Sequence, residues 1–287
     1  MSSKNLIRLK TYPMKINNII NGSNTLLKLF CCLTIVVIIC ILLGHYAFKN
    51  GILTCDHYVF NTYLYIILAI LLIFMVVLIN DQTGIFNYFI LWIVQGSFVR
   101  IILTFIIIIS ILFGLMYKLD KVDPQNIVAS NIIWIALILL LGFFLIPIIW
   151  FGRLNDVVGI AGILTIIITT IVGLLGYYYG DKIVTFDWDK YLIYALWCIM
   201  IIIFISLFLI TDPIQILLMI SLISSISLII FVLLLLSNHK KLKQNSEKCI
   251  DGKTVPNYPV ESFRLFIKIL NVFQYLIRIL GYMKKKR

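Results

Sequence analysis

Charge is scarce in this chain: Asp, Glu, Lys and Arg together make up 13% of 287 residues, and only 12 of them are acidic. So thin a supply does not clothe a water-soluble domain. Catalytic patterns are missing as well. The three histidines (His45, His57 and His239) sit at or near expected loop ends, and no H-E-x-x-H, G-x-S-x-G or glycine-rich phosphate loop occurs. Cys55, Asp56 and His57 are consecutive, whereas the members of a catalytic triad converge from separate elements. The six cysteines lack metal-binding spacing, and Cys31, Cys32, Cys40 and Cys198 lie inside apolar runs, where thiols behave as small hydrophobes. The expectation is therefore no enzyme, no cofactor, no metal site and no disulfide framework. Basic tracts interleaved with aromatics are also absent, so nucleic acid is not an expected partner.

What is present is grease. Hydrophobic residues make up 62% of the chain, and the mean hydropathy is +1.08. Apolar segments fall at about 27–46, 61–80, 86–117, 127–150, 157–178, 190–211 and 214–236, followed by a less apolar stretch at 258–281. About 20 residues at ~1.5 Å rise per residue cross a ~30 Å hydrocarbon core. Backbone groups in lipid must pair within the protein, and these runs lack the alternation of a barrel strand. The predicted fold is an all-α, polytopic membrane bundle of seven to eight transmembrane helices with an amphipathic C-terminal helix. The third run is too long for one untilted crossing. Gln95-Gly96-Ser97 and Arg100 interrupt it, so it is either kinked or begins as an interfacial helix. Thr211-Asp212-Pro213 reads as a tight turn between the sixth and seventh runs. The basic, polar first 26 residues precede an apolar run too long for a removable signal peptide, and none is expected.

The formal net charge of +12 bears on topology and on anionic headgroups, which are expected partners of the basic termini. The segment 237–257, read as a loop, carries Lys240, Lys241, Lys243, Lys248 and Lys253 and is placed in the cytosol by the positive-inside rule. Counting back through single crossings brings Lys182/Lys190 and Lys118/Lys121 to the same side. The basic N-terminus (Lys4, Arg8, Lys10, Lys15) then falls on the opposite side, in conflict with the rule.

In the stretch 258–281, Glu261, Arg264, Lys268, Asn271, Tyr275 and Arg278 recur every three or four positions, a single stripe on a helix. That stripe either lies at the membrane interface or faces a polar path between helices. Lys268 is either a tethered cation in such a path or a side chain snorkelling to headgroups. Arg100 faces the same choice, with the interface favoured. Arg153 and Asp156 read as a solvated turn at the end of a span.

The same stretch resembles the signature of the transmembrane Bax inhibitor motif family, which includes the Lifeguard and Golgi anti-apoptotic proteins. That signature runs close to E-Y-x-x-A-A-x-x-L-Y-L-D-I-I-N-L-F-L-x-L-L-R-x-L-G. Here Asn257-Tyr258, Leu265-Phe266-Ile267-Lys268, Asn271-Val272-Phe273 and Arg278 through Gly281 fall in register without a gap. Weaker echoes lie upstream in the family's order: Pro124-Gln125-Asn126 with Gly142, Ala161 with Thr165, Asp187-Trp188, and Phe231 to Lys240. The resemblance implies a seven-helix domain at 61–281, an additional N-terminal segment at 27–60, and basic tails at 1–26 and 282–287.

It also implies a role in suppressing apoptosis and modulating store calcium from endoplasmic reticulum or Golgi membranes, with apoptosis-regulating membrane proteins as partners. Family members are expected to carry two aspartates that form a pH-sensitive latch on a calcium leak. Here the two positions hold Asn238 and Lys268. The alternative reading is a small transporter or anion-favouring channel with Arg100, Arg264, Lys268, Asn271 and Arg278 along a polar path.

Overall fold

The computed structural model describes residues 18–49, 52–94, 98–184, 188–209 and 213–285, and nearly all of them are helical. Apolar chain in lipid saturates its backbone hydrogen bonds within each segment, so each run becomes a helix. The elements are α1 (Asn18–Tyr46), a short antiparallel hairpin of β1 (Phe48–Lys49) and β2 (Ile52–Leu53), α2 (Tyr58–Thr83), α3 (Ile85–Val94), α4 (Phe98–Lys121), α5 (Ile127–Leu154), α6 (Val158–Ile183), α7 (Trp188–Leu209), α8 (Pro213–Ile250) and α9 (Tyr258–Lys285). Among the described residues, five helices are long and apolar enough to cross a membrane: Leu27–Tyr46, Tyr58–Thr83, Ile127–Leu154, Val158–Ile183 and Met219–Ile250.

Local chemistry sets the boundaries. Asn126 caps α5, its side-chain oxygen accepting from the Ala129 amide at 3.2 Å. Gly84 ends α2 at φ 65°, a left-handed conformation that glycine adopts without a steric penalty, and its amide donates to Asn80. The long third run holds α3 and α4, and the kink or interfacial entry expected at Gln95-Gly96-Ser97 falls on residues outside those described. Residues 210–212 of the expected tight turn lie outside them too. Pro213 opens α8, where a missing amide proton costs nothing.

Two sequence expectations are corrected. The segment 237–257 is not all loop, because α8 continues to Ile250. Its Lys, Leu, Gln and Glu residues are good helix formers, and its ammonium groups find acids on neighbouring helices. The second correction is a disulfide. Cys55, between β2 and α2, is bonded to Cys249 near the end of α8, with Cα atoms 5.5 Å apart. These residues are 194 positions apart, and the packing of α2 and α8 around α9 brings them together.

α9, the least apolar of the long helices, lies inside the bundle. It packs along α8, α2, α5 and α6 and touches α4. Tyr258 and Phe266 are fully buried in a core that includes Trp134, Leu137, Ile138 and Leu235, and Val272 and Ile277 in a second cluster with Val157 and Ala161. α1 packs on α2, and α7 on α8. Large side chains such as Phe74, Ile166, Leu174 and Ile229 are exposed around the outside, as a lipid-facing belt requires. Lipid tails are as apolar as these side chains, so close van der Waals packing holds the helices together. At the α6–α8 contact the backbones meet through Gly173, Gly176 and Gly180. A Cβ on Gly176 would lie 2.6 Å from the Leu236 carbonyl oxygen.

The bundle has two ends. The first gathers the disulfide, the hairpin, the start of α2 and α9, and the tip of α8. The second gathers the end of α2, the α5–α6 turn and the end of α9. There Arg153 pairs with Asp81 at 2.8 Å and Lys284 with Asp156 at 3.1 Å, so both residues of the expected solvated turn are engaged.

Candidate functional site

The polar continuation of α8 begins where its apolar run stops, at Ser237. Successive residues on a helix point about 100° apart, so Asn238, His239, Lys240 and Lys241 fan out toward different neighbours. The Asn238 side-chain amide donates to the Arg264 carbonyl of α9 at 3.3 Å. His239 is buried between α8, α6 and α2, not at a loop end as the sequence suggested. Its Nδ1 lies 2.7 Å from the Leu235 carbonyl, which only accepts, so Nδ1 carries the proton. Nε2 of the neutral ring therefore accepts from the Tyr63 hydroxyl at 2.6 Å. Lys240 Nζ donates to the Val184 carbonyl at 2.7 Å and lies 3.7 Å from Asp181. Lys241 Nζ pairs with Asp189 of α7 at 2.5 Å.

α9 answers from its first turns. Glu261 accepts from Asn245 at 3.0 Å and lies 3.8 Å from the Arg264 guanidinium, which in turn reaches Asp120 of α4 at 3.0 Å. Lys268, half-buried one turn further on, stands in the attractive fields of Asp189 and Glu261 and the repulsive fields of Lys241 and Arg264. Asn238, Arg264 and Lys268 are thus brought together. Asn271 is nearby but bonds within its own helix, its amide donating to Ile267 at 2.7 Å. Arg278 lies over the Tyr275 ring at 5.5 Å, roughly 21 Å along α9 from Arg264 at ~1.5 Å per residue. Arg100, in the first turn of α4, stands 5.3 Å over Trp92 and donates to its carbonyl at 3.4 Å. These last two arginines are near the second end of the bundle, apart from the cluster.

A knot of aromatic and amide groups closes the same end. The Tyr258 hydroxyl donates to the Thr54 carbonyl and accepts from Asn61. Asn61, fully buried, also lies within hydrogen-bond distance of the Tyr46 and Asp56 carbonyls. Tyr65 stacks on Tyr258 at 6.2 Å and donates to Asn131. A cavity of about 350 Å³ opens between α2 and α6 beside the Tyr63–His239 pair. Chemically the assembly is a set of donors locked onto carbonyls and single carboxylates. Among the described residues, no group of three or more His, Cys, Asp or Glu is placed to hold a metal ion.

The sequence singles out Asn238 and Lys268 but not the Tyr63–His239 pair. Nothing in the local sequence marks them, because their pairing depends on the glycine face of α6 letting α8 approach. No curated protein matches this chain. The family model described as "Inhibitor of apoptosis-promoting Bax1" matches residues 55–285, from the disulfide-bonded Cys55 through the last turn of α9. The chain belongs to that Bax inhibitor family of membrane proteins.

Proposed function

We propose that this protein suppresses cell death from an internal membrane, of the endoplasmic reticulum or Golgi, without the acid-pair control of calcium that its resemblance implies for relatives. It acts through membrane partners, apoptosis-regulating proteins among them, and not as an enzyme. One observation carries the reading: the two latch positions hold Asn238 and Lys268, and the Asn238 amide is already spent on the Arg264 carbonyl. Two adjacent carboxylates share a proton because both cannot ionise cheaply, and their oxygens suit a hard cation. An amide has no proton to release, and an ammonium repels calcium. The ion pairs from the tip of α8 to α6 and α7, with those from the start of α9 to α4, support a closed end.

Expression under an intrinsic apoptotic stimulus, with store calcium recorded in the same cells, tests this. Survival is expected to rise while store calcium stays unchanged. Correctly localised protein that gives no protection, or protects only by emptying stores, overturns it. The alternative, an anion-favouring path, draws on the local grouping of Arg264, Lys268 and Lys241. Chloride flux in liposomes that disappears with Lys268→Ala would establish that alternative in its place.

A further inference from the structure

Each end of the bundle carries lysine and arginine. The first end has Lys118, Lys121, Lys182, Lys190 and the lysines of the α8 tip, and the second has Lys28, Arg153, Arg278 and Lys284. A rule that counts basic residues therefore does not orient the molecule. The cysteines do. Cys31, Cys32, Cys40 and Cys198 are free and lie within α1 and α7, whereas Cys55 and Cys249 are outside the apolar runs and joined to each other. Disulfides persist in oxidising compartments and are kept reduced in the cytosol.

We infer that the end holding Cys55–Cys249 faces an oxidising lumen and that the opposite end faces the cytosol, which reverses the placement of 237–257 drawn from its lysines. Two thiols lose two protons and pass two electrons to an acceptor disulfide, the oxidant that such a lumen supplies.

The chain path supports this orientation. α1 runs antiparallel to α2, with Cys32 against the Leu71 carbonyl and Tyr46 against Asn61, so α1 begins at the second end. α9 finishes at that end too, where Lys284 meets Asp156. The inference puts the basic tail (Lys4, Arg8, Lys10, Lys15) and the closing Lys284–Arg287 run on the cytosolic side together, and the sequence conflict vanishes. Four of the lysines left on the luminal side are partnered by acids: Lys240 and Lys243 by Asp181, Lys241 by Asp189, Lys253 by Asp251. It also aims the tip of α8 and the α8–α9 turn into the lumen, about 21 Å beyond the apolar run that ends at Leu236.

Gly252 offers a direct test. It is in the α8–α9 turn at φ +71°, with nothing within 4 Å of an added Cβ, and asparagine tolerates that conformation. Gly252→Asn completes an N-x-T sequon with Lys253 and Thr254. The full chain is made in microsomes with this substitution or, separately, with a sequon tag appended after Arg287. Glycosylation of Gly252→Asn but not of the tag is expected. In unbroken vesicles of the wild type, a membrane-impermeant maleimide should leave Cys55 and Cys249 unmodified, and in opened vesicles only after reduction should both react. Glycosylation of the appended tag, or labelling of Cys55 and Cys249 in unbroken vesicles, overturns the inference. Cys55→Ser/Cys249→Ser with Gly252→Asn should still be glycosylated, because the orientation does not depend on the bond once the helices are inserted.

Discussion

Replacing Gly176 with alanine is expected to force α6 away from α8. The added Cβ would meet the Leu236 carbonyl oxygen at 2.6 Å and the His239 Cβ at 2.7 Å, whereas ordinary contacts begin near 3.4 Å. Backbone cannot swing aside as a side-chain tip does, so the helices must separate or twist. Overpacking of this kind costs about 1–3 kcal/mol. Alanine returns up to about 1 kcal/mol in helix propensity. Gly162→Ala supplies the internal control on the same helix, since nothing lies within 4 Å of its Cβ. The substitutions should therefore differ in stability by about 1–3 kcal/mol, with Gly176→Ala the weaker. Thermal unfolding of both variants in one detergent, read beside the wild type, measures the difference. Equal midpoints would refute the claim that the glycine face sets the α6–α8 distance.

Other expectations follow from single contacts. Tyr63→Phe leaves the buried Nε2 of His239 without its donor and should lower stability by about 1 kcal/mol, seen as an earlier thermal midpoint; an unchanged midpoint would mean that the pair contributes nothing. Cys55→Ser should abolish the mobility difference between reduced and unreduced protein on denaturing gels and increase hydrogen exchange around residues 54–61 and 249–258. Arg153→Ala removes a pair whose side chains are 45% and 35% exposed, so its unfolding midpoint should hardly move, a change of about 0–1 kcal/mol.

Much of the fold was legible because lipid leaves a coarse signature. Length and apolarity located the long helices to within a few residues in the middle of the chain. The tip of α8 was misread because its lysines look like a loop when charge is weighed and like a helix only when propensity and partners are. The partners, Asp181 and Asp189, lie more than 50 residues away. Cys55 and Cys249 were unreadable as a pair for the same reason: spacing says nothing when two helices determine the meeting. The stripe on α9 was visible, but its surroundings were not. Periodicity distinguishes two faces of a helix without saying whether the polar face meets headgroups or, as here, the α8 tip and Asp120.

Calcium release from proteoliposomes containing the purified protein, followed between pH 6 and 8, bears most directly on the proposed function. Wild type, with its amide and ammonium at residues 238 and 268, is expected to hold calcium across that range. Asn238→Asp combined with Lys268→Asp is expected to leak in a pH-dependent way, because the pair then shares a titrating proton. A calcium leak from the wild type that rises and falls with pH would contradict the account.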